Sequence, residues 1–127
     1  MIQVKRLYEK AEAADGTRFL VDRLWPRGIS KASLPVTAWV KDAAPSTVLR
    51  QWFRHDAPKW EEFLERYFAE LDANPDAWAP LLEAAKSGPV TLVYSSQDAE
   101  HNNAIALAQY LRTKLPQRNK RGAKSVR

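Results

Sequence analysis

The sequence contains no cysteine, which excludes disulfide bonds, thiolate nucleophiles and cysteine-ligated zinc. Glycine is scarce, with four residues in 127, and the glycine-rich loops that bind phosphates or dinucleotides do not occur. No apolar run approaches the roughly 20 residues of a membrane span, and no basic-then-apolar leader opens the chain. These absences favour a cytoplasmic protein that does not contact a membrane.

The residues that are present are typical of one globular domain. Hydrophobic residues make up 45% of the chain and charged residues 28%, which argues against a disordered protein. Five tryptophans, four tyrosines and four phenylalanines supply large buried areas, so a chain of this length can form a substantial core.

The formal net charge of +5 comes from the end of the chain. Residues 112–127 contain seven lysines and arginines and no acid, whereas residues 1–111 contain 13 basic against 15 acidic residues. We therefore predict a folded domain over residues 1–115 and a flexible basic tail over residues 116–127. Such a tail suits weak, nonspecific contact with nucleic acid, or serves only to keep the protein soluble.

Hydrophobic periodicity and turn residues divide the domain into strands and helices. We predict strands at 2–8, 17–24, 36–40 and 90–94, and helices that begin near Ser46 and cover 58–73, 75–87 and 99–115. Apolar strands combined with amphipathic helices predict a small layered α/β domain, in which helices flank a short, mostly parallel sheet.

The segment after the last strand carries the densest group of uncharged polar side chains. It joins the carboxyl end of a buried strand to a helix amino terminus, where open α/β sheets bind ligands and where free N–H groups suit an anion. We predict ligand contacts here and assign proton transfer to the histidine, which the positive helix end keeps neutral. These residues are Tyr94, Ser95, Ser96, His101 and Asn102. The alternative is that the segment only caps the helix through Ser96 or Asp98.

Two arginines follow the second strand at spacing i, i+4, around a rigid Trp-Pro pair. Arg23 and Arg27 can grip a carboxylate or phosphate with paired hydrogen bonds. A salt bridge to a neighbouring acid is an equally good interpretation.

His55 is a second candidate for proton transfer, because Asp56 follows it directly. Adjacent residues rarely face each other, so the pair is weak evidence. The chain has two histidines, and they show no metal-binding spacing such as H-x-x-x-H. We therefore predict no metal and no cofactor.

Three long segments resemble the YeaO-like branch of the bacterial domain of unknown function 488 family. They are VDRLWPRGISK, KDAAPSTVLRQWFRHDAPKWEEFLERYFAEL and TLVYSSQDAEHNNAIALAQYL. The resemblance implies a single small α/β domain, cytosolic and without an established activity. Other branches of the wider family carry a Cys-His-Arg motif near Glu100-His101-Asn102, of which only the histidine is present here. We therefore do not expect thiol chemistry in this chain.

The leading hypothesis is a site for an anionic or nucleotide-like small molecule at the carboxyl ends of the strands. If the protein is an enzyme, we expect a hydrolase that depends on His101 or His55. The alternative is a nucleic-acid-associated or protein-interaction module that acts through the basic tail. A third hypothesis is an interaction surface built on exposed tryptophans.

Overall fold

Four strands form one fully parallel sheet in the computed structural model, which describes residues 1–54 and 56–115. The spatial order is β1-β4-β2-β3, and the strands are β1 Ile2–Arg6, β2 Thr17–Leu20, β3 Ala38–Trp39 and β4 Val90–Tyr94. The predicted α/β class is confirmed. His55 and the tail at 116–127 lie outside the described residues, so the tail boundary stays a prediction.

Four helices accompany the sheet: α1 Thr47–Phe53, α2 Trp60–Asp72, α3 Pro75–Ser87 and α4 Asn103–Lys114. Ser46 begins α1 as predicted, because its hydroxyl accepts a hydrogen bond from the Leu49 N–H at 3.1 Å. In the part of the chain that is described, no helix is long and apolar enough to span a membrane.

β4 lies between β1 and β2, which explains why its VTLVY sequence is buried at every position. Gly16, which directly precedes β2, lies close to the start of β4 and has a φ of +65°. A Cβ atom at this position would lie 2.2 Å from the carbonyl oxygen of Pro89. Only glycine therefore fits the turn that brings β2 alongside β4.

The two faces of the sheet are covered differently. One face carries the main core, in which Phe19, Leu92 and Tyr94 join buried side chains from all four helices. The opposite face holds a smaller cluster that includes Leu20 and Val93 and is covered by loop residues. The protein therefore has its helices packed on one side of the sheet.

Several predicted boundaries are wrong: β1 ends at Arg6 instead of residue 8, and α2 begins at Trp60 instead of residue 58. β2 ends at Leu20 instead of residue 24, and β3 has only two residues. α4 begins at Asn103 instead of residue 99, because the Asp98 carboxylate binds the N–H groups of Glu100 and His101 in a separate turn before it. Beyond Val21, where the predicted strand continues, side-chain hydrogen bonds of Asp22 and Arg23 hold the chain in place of strand pairing.

The tryptophans contribute to the packing of the domain, and the third hypothesis of an interaction surface built on them stays a prediction. All five are partly buried. The indole N–H groups of three of them donate to backbone carbonyls, namely those of Trp25, Trp39 and Trp78. These side chains support the fold.

Candidate functional site

The carboxyl ends of β2 and β4 are joined by Asp22. Its Oδ2 accepts hydrogen bonds from the Ser95 N–H at 3.0 Å and from the Ser95 hydroxyl at 2.5 Å. Its Oδ1 accepts from Asn103 Nδ2 at 3.1 Å, and the same Nδ2 donates to the Val21 carbonyl at 3.0 Å. These two strand ends are neighbours, as a site at the carboxyl ends of the strands requires, and Asp22 connects both to the start of α4.

A cleft of about 530 Å³ opens at these strand ends, between the loop after β2 and helix α1. It brings together four of the predicted ligand-binding residues: Arg23, Arg27, Ser95 and Ser96. The other polar residues on its lining are Asp22, Arg50, Gln51, Arg54 and Asn103. Four arginines and one acid thus line the cleft, and the carboxylate of that acid, Asp22, accepts hydrogen bonds from Ser95 and Asn103.

Arg23 forms part of the cleft wall. Its Nε donates to the Pro45 carbonyl at 2.9 Å and its Nη2 to the Ala44 carbonyl at 3.0 Å. These bonds hold the segment before α1 against the end of β2, and they leave Nη1 without a partner among the described residues. The salt bridge considered for Arg23 is absent from the described part of the chain.

Arg27 and Arg50 have no side-chain hydrogen bond or ion pair within residues 1–54 and 56–115. Arg27 is exposed, whereas Arg50 is half-buried. A half-buried arginine side chain without a partner among the described residues favours a bound anion, because an anion would form charge-assisted hydrogen bonds with its guanidinium group.

Sequence reasoning missed Arg50 and Arg54. Arg54 ends α1 in the left-handed conformation, with φ at 48°, and its Nε donates to the Gln51 carbonyl at 3.0 Å. Both residues lie in the carboxyl-terminal part of the α1 region, and both line the cleft. One feature of the sequence points to them: α1 contains no acidic residue that could pair with these two arginines.

Tyr94 and Asn102 do not line the cleft. Tyr94 is buried in the core, and burial raises the pKa of its phenol. Asn102 is fully buried and caps α4: its Oδ1 accepts from the Ile105 N–H at 2.9 Å, and its Nδ2 donates to the Asp98 carbonyl at 2.8 Å. Their roles as ligand contacts stay predictions, but the observed hydrogen bonds of Asn102 stabilise the helix start.

His101 also lies off the cleft lining. Its ring packs edge-on against Trp60, with the ring centroids 5.2 Å apart, and its Nδ1 lies 3.2 Å from Asp98 Oδ2. The Glu100 N–H, which donates to the Asp98 carboxylate, holds the pKa of Asp98 below its usual value, and the bonds to His101 act in the same direction. His101 is thus placed between an aromatic ring and an acceptor. Its catalytic role, like that of His55, stays a prediction.

The described residues contain no group of three or more histidines and acids that could hold a metal ion. The cleft instead presents hydrogen-bond donors from arginine, serine and asparagine. The fold and the cleft together define the class of protein: a parallel α/β domain with a cationic cleft at the carboxyl ends of its strands.

The chain belongs to the domain of unknown function 488 family, because the family model described as "Inactive DUF488-N3 subclade" matches residues 1–126. It is 45% identical over 112 residues to the uncharacterized protein YeaO of Escherichia coli. The aligned region covers 88% of this chain and 97% of the relative. An uncharacterized protein of Mycobacterium tuberculosis is 40% identical over 110 residues, or 87% of this chain and 92% of the relative. No solved structure is significantly similar. The resemblance inferred from the tryptophan-rich segments is confirmed.

Proposed function

We propose that the protein binds a small anionic molecule, bearing a phosphate or carboxylate group, in the cleft between the β2 loop and α1, and that it does so without catalysing a reaction. The observation that carries this proposal is the side chain of Arg50, which is half-buried, lines the cleft and has no hydrogen bond or ion pair among the described residues. Arg27 and Arg54 line the same cleft and supply further donors. An anion bound there would receive several charge-assisted hydrogen bonds.

The distribution of charge supports the same function. Removing the five basic residues after Pro116 from the 20 lysines and arginines leaves 15, which equals the 15 acidic residues. The rest of the protein is therefore formally neutral, yet four cations line a single cleft. Such a local excess attracts anions to the cleft even though the domain as a whole has no net charge.

Binding without turnover agrees with the side chains around the cleft. The one acid on its lining among the described residues, Asp22, already accepts three hydrogen bonds from Ser95 and Asn103. No histidine of the described residues lines the cleft, so no neutral imidazole is placed there to take up a proton. The description of the family model as inactive points the same way.

Isothermal titration calorimetry with pyrophosphate at low ionic strength tests the proposal. We expect saturable binding to the full chain and a loss of affinity of about tenfold or more in Arg50→Gln, because one charged hydrogen-bonding group is removed. Lys31→Gln is the matched control: it removes one exposed positive charge from the same loop as Arg27, but Lys31 does not line the cleft. Equal losses in both variants would mean that general charge attracts the anion, and the cleft proposal would fail.

Phosphorus NMR of the same samples separates binding from hydrolysis. We expect the pyrophosphate signal to shift on binding and to keep its total intensity over hours. Steady conversion to phosphate by the wild type, abolished in His101→Gln, would overturn the non-catalytic part of the proposal and favour the hydrolase hypothesis.

A further inference from the structure

The cleft is apolar as well as cationic. Seven of its sixteen lining residues are apolar, and they continue from the β2 loop to the floor beneath α1: Leu24, Trp25, Pro26, Ala44, Pro45, Phe53 and Phe63. Inorganic phosphate or pyrophosphate would contact only the arginines. The apolar wall therefore needs a second explanation, which is a ligand that has both an anionic group and an apolar group.

The floor of the cleft is a stack of aromatic rings. Phe53 and Phe63 lie with their ring centroids 4.4 Å apart and their planes inclined by 27°. Trp60 packs against both rings, with its centroid 5.4 Å from that of Phe63 and 5.8 Å from that of Phe53. Phe53 and Phe63 are both buried, so their positions are fixed by the core. The small parts of these two rings that line the cleft therefore form a preformed apolar floor.

The opposite wall is also held in place. The Trp25 indole N–H donates to the Ile29 carbonyl at 2.6 Å, and its ring meets Trp39 edge-on, with centroids 5.4 Å apart. Pro26, the next residue, is buried. Because these groups are already ordered, a ligand would lose little free energy in arranging them.

Leu24 is the exception on this wall. It lines the cleft and is 65% exposed, which makes it one of four large hydrophobic side chains left open to water in the described chain. An apolar side chain at the rim of a polar cleft gains from covering an apolar part of a ligand.

We propose that the natural ligand is a phosphate monoester that carries an aromatic ring and has about the size of a nucleoside monophosphate. Its phosphoryl group would lie at Arg50 and Arg54, and its ring between Leu24 and the phenylalanine floor. This inference rests on the proposed function and names its ligand class. The volume of about 530 Å³ lies within the range of small-molecule sites. A phosphate monoester carries up to two negative charges, which suits several guanidinium groups better than a single carboxylate does.

A series of ligands separates this inference from the proposed function. Adenosine 5′-monophosphate and phenyl phosphate carry both groups, ribose 5-phosphate lacks the ring, and adenosine lacks the phosphate. By calorimetry, we expect the two aromatic esters to bind about tenfold more tightly than ribose 5-phosphate, and adenosine to bind most weakly. Tight binding of either aromatic ester supports the inference, and comparing the two esters distinguishes a nucleoside from a simpler aryl group.

The two proposals fail in different ways. If ribose 5-phosphate binds as tightly as both aromatic esters, the apolar wall does not select the ligand, and the further inference is wrong while anion binding stands. If none of the phosphates binds, pyrophosphate included, both proposals are wrong.

A pair of surface variants tests the wall itself. Leu24→Ser removes apolar contact at the rim, and Val48→Ser makes a comparable change at a side chain that is 77% exposed and does not line the cleft. We expect Leu24→Ser to weaken adenosine 5′-monophosphate about fivefold, from the loss of part of one buried side chain, and to leave ribose 5-phosphate unchanged within about twofold. Val48→Ser should change neither. Equal weakening of both ligands by Leu24→Ser would overturn the inference, and circular dichroism checks that both variants fold.

Discussion

Asp22 and Ser95 form a double hydrogen bond across the carboxyl ends of β2 and β4, in which one carboxylate oxygen receives both the N–H and the hydroxyl of the serine. This contact joins residues that are 73 positions apart in the sequence. Asn103 binds the second carboxylate oxygen, so a single side chain positions two loops and one helix.

Replacing Asp22 by alanine should therefore destabilise the protein. We expect Asp22→Ala to lower the free energy of unfolding by about 1–3 kcal/mol, because the polar groups of Ser95 and Asn103 lose their acceptor. Urea denaturation measures the change. Glu65→Ala, an exposed acid on α2, serves as the control and should stay within about 0.5 kcal/mol of the wild type. Similar losses in both variants would contradict the role of Asp22.

The apolar stripe of α2 provides a second test. Leu64 and Leu71 are seven positions apart, so helical periodicity alone puts both on the apolar face of α2. In the structure, Leu71 is 3% exposed and Leu64 is half-buried. We expect Leu71→Ala to cost about 2–5 kcal/mol and Leu64→Ala clearly less, because the cost rises with the cavity that is left. A reversed order in denaturant titrations would show that α2 is rotated relative to the core.

The stability should depend on pH through Asp15. This buried carboxylate binds Lys5 Nζ at 2.9 Å and also pairs with Arg18, and the hydrogen bond from Lys5 is the main cause that holds the pKa of Asp15 below its ordinary value of 3.8. The unfolded chain therefore binds a proton at a higher pH than the folded protein does. The contribution of Asp15 is present above about pH 4 and is lost as the pH falls through the lowered pKa.

Unfolding curves measured between about pH 2 and pH 6 check this dependence. We expect Asp15→Asn to be less stable near neutral pH, since Lys5 and Arg18 lose their charged partner, and to show a weaker loss of stability in acid. Asp76→Asn, at an exposed position on α3, should keep the wild-type profile. An unchanged acid profile in Asp15→Asn would contradict the assignment.

His101 provides a test of the hydrolase hypothesis that needs no substrate turnover. Because its ring lies against Trp60 and Asp98 and off the cleft lining, its NMR signals should not move when pyrophosphate or adenosine 5′-monophosphate is added. His101→Gln should leave the affinity of the cleft within about twofold. A ligand-dependent shift of the His101 signals, together with weaker binding by His101→Gln, would place this histidine in the site.

The basic tail is tested by deletion of residues 117–127, which changes the formal charge from +5 to 0. We expect binding to mixed RNA or duplex DNA to decrease, and the salt dependence on duplex DNA to flatten by about 0.9 for each lost phosphate contact. Pyrophosphate binding in the cleft should persist. Nucleic-acid binding that the truncated chain retains, with its full salt dependence, would favour a nucleic-acid module within the domain.

Local patterns in the sequence predict all four strands, though not all of their bounds, and four of the nine polar residues that line the cleft. β4 has the predicted bounds because a short, mostly apolar run rich in β-branched residues, bounded by Gly-Pro and Ser-Ser, favours a buried strand. Arg23, Arg27, Ser95 and Ser96 were predicted together because residues that directly follow neighbouring parallel strands meet at one edge.

The rest of the cleft depends on contacts that are distant in the sequence. Arg50 lies in the seven-residue helix α1 and Arg54 caps its carboxyl end, and in the sequence both look like ordinary solvent-exposed residues. Only the packing of α1 against the β2 loop, through Arg23 and the carbonyls of Ala44 and Pro45, brings both to the cleft. Helix capping was the alternative for this segment, through Ser96 or Asp98, but the cap of α4 is Asn102, and Tyr94 is buried in the core.

Gly16 bears on how far conclusions about this cleft can be transferred between members of the family. Any side chain at this position would collide with the Pro89 carbonyl, which also accepts the hydrogen bond from the Thr17 N–H that starts β2. A homologue without this glycine must begin its second strand elsewhere, and the residues equivalent to Asp22 and Arg23 would move with it. Position 16 is therefore an alignment anchor: where the glycine is retained, the cleft residues can be matched one by one, and where it is lost, the correspondence has to be established from a new structure.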